Sequence, residues 1–77
     1  MGTIGQRVRR ARERLALSQE DLVQQAGLTI ATLSRIENDR LAARPRPSTI
    51  RKLAGALGVT PAWLLDGEES QVEQPAA

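Results

Sequence analysis

Ten arginines and one lysine, all lying between Arg7 and Lys52, are the residues of this 77-residue chain best suited to do chemistry. A guanidinium is a planar fork of donors that makes paired hydrogen bonds to a phosphate or a guanine edge, whereas an ammonium acts as a point charge. Five acids, Glu13, Glu20, Asp21, Glu37 and Asp39, share that segment with the eleven bases and leave it at +6, while Asp66, Glu68, Glu69 and Glu73 give the C-terminal part −4. Such a division either solubilises helices or serves an anionic partner of defined geometry, and the position of each arginine has to decide. Other chemistry is sparse. Without Cys, His, Tyr or Phe the chain builds no disulfide framework, Cys/His zinc site, Ser-His-Asp triad or cysteine nucleophile. Serines and threonines remain as nucleophile candidates, but none has a plausible base, and Ser18, Thr29, Ser48 and Thr60 are explained as helix caps. We therefore expect no enzyme, no metal and no cofactor. No apolar run approaches the roughly 20 residues of a membrane span, and the opening MGTIGQRVRR lacks the apolar stretch of a signal peptide. Both point to a soluble cytoplasmic protein that makes no membrane contact.

Helices must position these side chains. Thr3 and Gln6 form a T-x-x-Q capping box, after which Ile4, Val8, Ala11 and Leu15 recur as one helical face. On a wheel of about 100° per residue Arg12 turns inward beside that face, while Arg7, Arg9, Arg10, Glu13 and Arg14 fall outside it. Ser18 then caps a second helix with acids in its first turn, and Gly27 stops it. Thr29 immediately caps a third, which runs to about Asn38, so two short helices are joined by a three- or four-residue turn containing Gly, the spacing of a helix-turn-helix. Residues 39–47 read as a loop with two prolines. Ser48 restarts a helix whose apolar set is Ile50, Leu53, Ala54 and Leu57. Thr60-Pro61 opens a short fifth helix with Trp63, Leu64 and Leu65. The expected fold is all-α, a compact five-helix domain over residues 1–67, followed by a flexible acidic tail over 68–77.

The third helix carries the most informative pattern. With Leu33 at the centre of its buried face, Ile36 and Glu37 also point inward, Ala31, Ser34, Arg35 and Asn38 point outward, and Ile30 and Thr32 lie on the flanks. The outward side holds no acid, and the one acid of the helix, Glu37, faces the inward-turned Arg12. These two are either a buried or half-buried ion pair or two independent surface charges. An acid-free outward face suits an anionic partner.

Ser18-Gln19-Glu20-Asp21-Leu22, Gly27, Leu33-Ser34-Arg35-Ile36-Glu37-Asn38, Leu53-Ala54-Gly55-Ala56-Leu57-Gly58-Val59 and Trp63-Leu64-Leu65 stand in order along the chain. Together they resemble the lambda-type repressor and Cro family, also called the XRE family, over about residues 3–67. The resemblance implies a lambda-repressor-like domain in which helix 30–38 enters the major groove of double-stranded DNA, the docking that general accounts of helix-turn-helix repressors describe. It implies base contacts from Ile30, Ala31 and Arg35, with Thr32 and Ser34 nearby. Arg35 is suited to guanine, and Ile30 and Ala31 to thymine methyls. Gln19 and Asn38 correspond to phosphate-contacting positions, although Gln19 could also be an ordinary first-turn residue. Arg40, Arg44 and Arg46 lie in the loop that follows the backbone, as contacts or as solvated charges. Arg7, Arg9, Arg10, Glu13 and Arg14 then read as a solvated or DNA-adjacent surface.

Family members bind pseudo-palindromic sites as two-fold dimers, so a homodimer is implied, with Pro61, Ala62 and Leu64 as interface candidates; the alternative is that Trp63, Leu64 and Leu65 simply finish the core, which is the better reading for Trp63. The function so implied is that of a transcriptional regulator, a repressor of nucleoid DNA. The alternative is a protein-binding module, such as an antitoxin that holds a partner through acidic residues 66–73.

Overall fold

The computed structural model describes residues 2–40 and 44–67; the expected acidic tail, 68–77, and residues 41–43 of the loop lie outside the described residues. Five α-helices follow one another: α1 Ile4–Arg14, α2 Gln19–Ala26, α3 Ile30–Glu37, α4 Pro47–Leu57 and α5 Pro61–Asp66. The fold is all-α, as expected, and no helix among the described residues is long and apolar enough to cross a membrane.

Four helices start where a hydroxyl can accept an otherwise orphaned N–H. Thr3 accepts from Gln6, Ser18 from Asp21, Thr29 from Thr32 and Thr60 from Trp63, at 3.0 to 3.2 Å. Each such cap contributes about 1 kcal/mol. α4 departs from the expected start. It begins at Pro47 with Arg46 at the cap and no side-chain cap bond, so Ser48 is a second-position residue. Proline at the first helical position brings a pre-set φ and lacks an N–H that would have no partner there anyway, so no hydroxyl is required.

The helix ends decide which residues keep to their wheels. Gly27 turns left-handed at φ 72° and lets α2 pass into α3 through three residues. α1 ends without glycine. Ala16 takes φ 58°, and Leu17 N–H and Ala16 N–H donate to the Arg12 and Glu13 carbonyls at 3.1 and 2.9 Å, closing the last turn as a Schellman pair. α1 therefore stops at Arg14, and Leu15, expected on its buried face, is 49% exposed. Asp39 (φ 54°) ends α3 in the same way, with Arg40 N–H on the Arg35 carbonyl at 2.8 Å and Asp39 N–H on that of Ile36 at 3.1 Å.

The core runs through all five helices: Val8 and Ala11, Leu22, Val23 and Ala26, Leu33 and Ile36, Ile50, Leu53, Ala54 and Leu57, Trp63 and Leu64. α1 lies against α3, α4 and α5, and α2 against α3 and α4. Gly5 is what lets α1 approach α3. A Cβ there would overlap the Ile36 carbonyl oxygen and come 3.0 Å from that of Glu37. Arg7, expected on the solvated side of α1, is buried instead. Its Nε and Nη2 donate to the Leu64 and Leu65 carbonyls, both at 2.8 Å, and Nη1 donates to Gly2 O at 2.7 Å. The guanidinium thus satisfies carbonyls at the C-terminal, partially negative end of α5 and ties that helix to α1.

Candidate nucleic-acid interface

Glu37 is the residue on which the orientation of α3 rests. Its side chain is wholly buried, that of Arg12 is 13% exposed, and Arg12 Nε meets Glu37 Oε2 at 2.7 Å. Arg12 Nη2 donates to the second carboxylate oxygen at 3.1 Å, so the contact is a two-pronged fork. Arg12 Nη1 reaches the Leu17 carbonyl at 2.9 Å, which ties the end of α1 to the start of α2. Gln19 Nε2 donates to Glu37 Oε1 at 3.1 Å. One buried carboxylate thereby joins α1, α2 and α3. Its hydrogen bonds raise the Arg12 pKa above the ordinary value, with burial working against that rise.

The pair keeps the acid of α3 inside and leaves the opposite side of the helix to solvent. Ala31 and Arg35 are exposed there, Thr32 and Ser34 half-buried, and Ile30 is 40% exposed, a large apolar side chain in the first turn without core to cover it. Local bonds hold the small polar groups: Thr29 Oγ1 donates to Thr32 Oγ1 at 3.1 Å and Asn38 Nδ2 to Ser34 Oγ at 3.3 Å. The α3 face thus offers two apolar contacts, two hydroxyls and one guanidinium.

The remaining candidates surround this face. Gln19 is half-buried against Glu37, while Asn38, at the C-cap of α3, and Arg40 are exposed. Arg44 and Arg46, also exposed, flank the start of α4. Of the three residues expected at a dimer interface, Pro61 is exposed and Ala62 half-buried. Leu64 is not available. It is entirely buried in the core because its position on α5 faces α1, where its own carbonyl receives Arg7.

Comparison with known proteins bears on this geometry. Residues 5–70 match the pattern of a helix-turn-helix domain family. The chain belongs to that family and is a lambda-like helix-turn-helix domain of the XRE type. This helix-turn-helix domain is 36% identical over 75 residues to the immunity repressor protein of Bacillus phage phi105, covering 97% of the chain and 50% of that repressor. It spans about half the length of the curated relatives it matches. Among solved structures it superposes on the P22 c2 repressor in complex with a synthetic operator, with a TM-score of 0.79 and 26% identity, over 88% of this chain and all of that one. It also superposes on the biofilm regulator SinR in complex with DNA, with a TM-score of 0.79 and 31% identity, over 83% of this chain and all of that one.

One residue of the helix-turn-helix domain, Arg7, escaped the sequence reading, and Arg9, read there as part of a solvated or DNA-adjacent surface, has a neighbour that was not anticipated. Arg7 sits about 100° from Val8 on the α1 wheel, at the border of the buried arc, and its acceptors are backbone carbonyls that no side-chain pattern announces. Arg9 lies with its Nε 3.7 Å from Glu37 Oε1 while 49% exposed. Its signal was present in the sequence: on the α1 wheel Arg9 stands about 60° from the inward-turned Arg12, against about 160° for Arg10 and Arg14.

Proposed function

We propose that this domain is a sequence-specific DNA-binding transcriptional regulator, a repressor that occupies a pseudo-palindromic operator as a homodimer with α3 in the major groove. The observation that carries the reading is the outward face of α3, where Ile30, Ala31 and Arg35 are exposed and the only acid of the helix is buried against Arg12. A carboxylate on that face would repel phosphate. Burying it instead leaves Arg35 free to make two bonds to guanine and Ile30 and Ala31 to touch thymine methyls. Gln19, Asn38, Arg40, Arg44 and Arg46 then meet phosphates and fix the register without reading sequence. Support comes from the relatives, which include a phage immunity repressor and a repressor solved with its operator.

A single domain reads only a few base pairs, so two-fold pairing is needed for an operator-length site, and Pro61 and Ala62 on the outer side of α5 are its proposed contacts. Repression is steric in this reading and needs no cofactor, and its place is on nucleoid DNA in the cytoplasm. The test is selection from a random duplex library at roughly 150 mM salt, because affinity without a stated salt concentration has no meaning. Enrichment of an inverted repeat is expected. Weak, salt-sensitive binding with no enriched sequence would refute the proposal.

A further inference from the structure

We infer that Arg9 holds a phosphate of the DNA backbone, the same phosphate that Gln19 meets, with the half-exposed guanidinium that Glu37 approaches but does not bond; this rests on the DNA-binding reading above. The buried carboxylate carries one negative charge and is already satisfied by the two bonds from Arg12 and the one from Gln19. Arg9 comes third. Its Nε stands 3.7 Å from Glu37 Oε1, beyond hydrogen-bond reach, and half of its side chain is in solvent. Two guanidiniums thus face one buried carboxylate, and Arg12 is the bonded one; Glu13, exposed on α1, is a further acid near Arg12, but among the described residues the only carboxylate within ion-pair distance of Arg9 is Glu37.

Place and donors fit a phosphate. Arg9 and Gln19 approach the same oxygen of Glu37, so their donor groups are neighbours although they come from different helices. Gln19 Nε2 spends one of its two hydrogens on Glu37 and keeps the other, and the Gln19 backbone N–H, in the first turn of α2, has no partner within the helix. Of the two acids in that turn, Asp21 is turned back on the Ser18 N–H at 3.0 Å. The other, Glu20, is exposed. Glu37 thus does two things: it fixes α3, and it steers one arginine and one amide toward a common anion.

The experiment uses the 77-residue chain and the inverted repeat obtained by selection, with binding measured from about 50 to 200 mM salt for the unchanged chain, Arg9→Gln and Gln19→Ala. On an inverted repeat bound by two copies Arg9→Gln removes two phosphate contacts and lowers the slope of log affinity against log salt by about 1.8, so the advantage of the unchanged chain over Arg9→Gln should shrink by roughly 12-fold across that range. An arginine serving only to brace Glu37 would leave the slope unchanged, and that result overturns the proposal. Replacing phosphates one at a time by neutral methylphosphonate should then identify a single position at which both variants lose their effect. Separate positions for Arg9→Gln and Gln19→Ala, or none for Arg9→Gln, would also overturn it. Absence of any enriched sequence refutes the DNA-binding reading itself, a result distinct from an unchanged slope on a true operator.

Discussion

Replacing Glu37 by leucine should cost the domain about 3 to 5 kcal/mol, and replacing Arg12 by methionine as well should return most of that loss. The magnitude follows from what the substitution leaves behind. Glu37 is wholly buried and Arg12 is 13% exposed. Without the carboxylate, Arg12 keeps only the Leu17 carbonyl among its protein partners. Arginine does not escape by losing its proton, so Glu37→Leu strands a charge in a site with little access to water, which is where breaking a buried pair costs this much. Removing both strands no buried charge, although the Leu17 carbonyl and the Gln19 amide each lose a partner. Apolar replacement of a whole buried pair ranges from neutral to stabilising, because the desolvation of both ions disappears together with their attraction. A chain of this length has roughly 4 to 11 kcal/mol of stability in total, so the single variant should be near the limit of folding.

Urea denaturation followed by Trp63, the only tryptophan and a buried one, reads the change through one fluorophore. Arg12→Met/Glu37→Leu should melt within roughly 1 kcal/mol of the unchanged protein. A Glu37→Leu cost below about 1 kcal/mol, or a double variant no more stable than that single one, would refute the account of the pair as buried and coupled.

Arg35→Ala should lose about 1 to 3 kcal/mol per half-site of the selected operator and relax preference at one base in each, whereas Arg40→Ala should weaken all sequences alike and lower the salt slope by roughly one per half-site. Parallel titrations on operator and random duplex check both, and equal losses for Arg35→Ala on the two DNAs would remove it from base reading. Gly5→Ala and Gly55→Ala should differ in sign: the first forces a Cβ onto the end of α3 while the second meets nothing within 4 Å, so about 1 to 3 kcal/mol should be lost and about 0.5 to 1 gained in thermal melts. Asp21 is held below the usual carboxylate range, first by the Ser18 N–H and then by its hydroxyl. Its share of stability is therefore complete above roughly pH 4 and is lost as pH falls through the lowered value, a dependence that acid titration should show to be absent in Asp21→Asn.

What the sequence disclosed and what it withheld divide along a physical line. Thr3, Ser18, Thr29 and Thr60 could be read because a cap is a short-range bargain between one hydroxyl and an N–H three residues on, and each is formed in the structure. The inward turn of Arg12 and Glu37 was legible too, since the angle around a helix follows from spacing alone once the apolar face is known. Misreadings arose where the outcome depended on backbone from another part of the chain. A wheel assigns Leu15 to the buried arc only if α1 continues, and no residue type signals that Ala16 will turn left-handed; Ser48 looks like a cap only if Pro47 is left in the loop. Arg7 and Leu64 failed together and for one reason. The wheel gives Arg7 a direction but not the helix it meets, and the resemblance gives Leu64 a place on α5 but not the arginine that packs under it. Carbonyls of Leu64 and Leu65 take up that guanidinium, the Leu64 side chain lies in the core, and Pro61 and Ala62 are left as the accessible part of the expected interface. The charge of α1 is divided in the same way: Arg7 serves the core, Arg12 fixes α3, and Arg9, the half-exposed member beside Glu37, is free to face a phosphate. The count of arginines was visible from the outset, but their division among these tasks required the neighbouring helices.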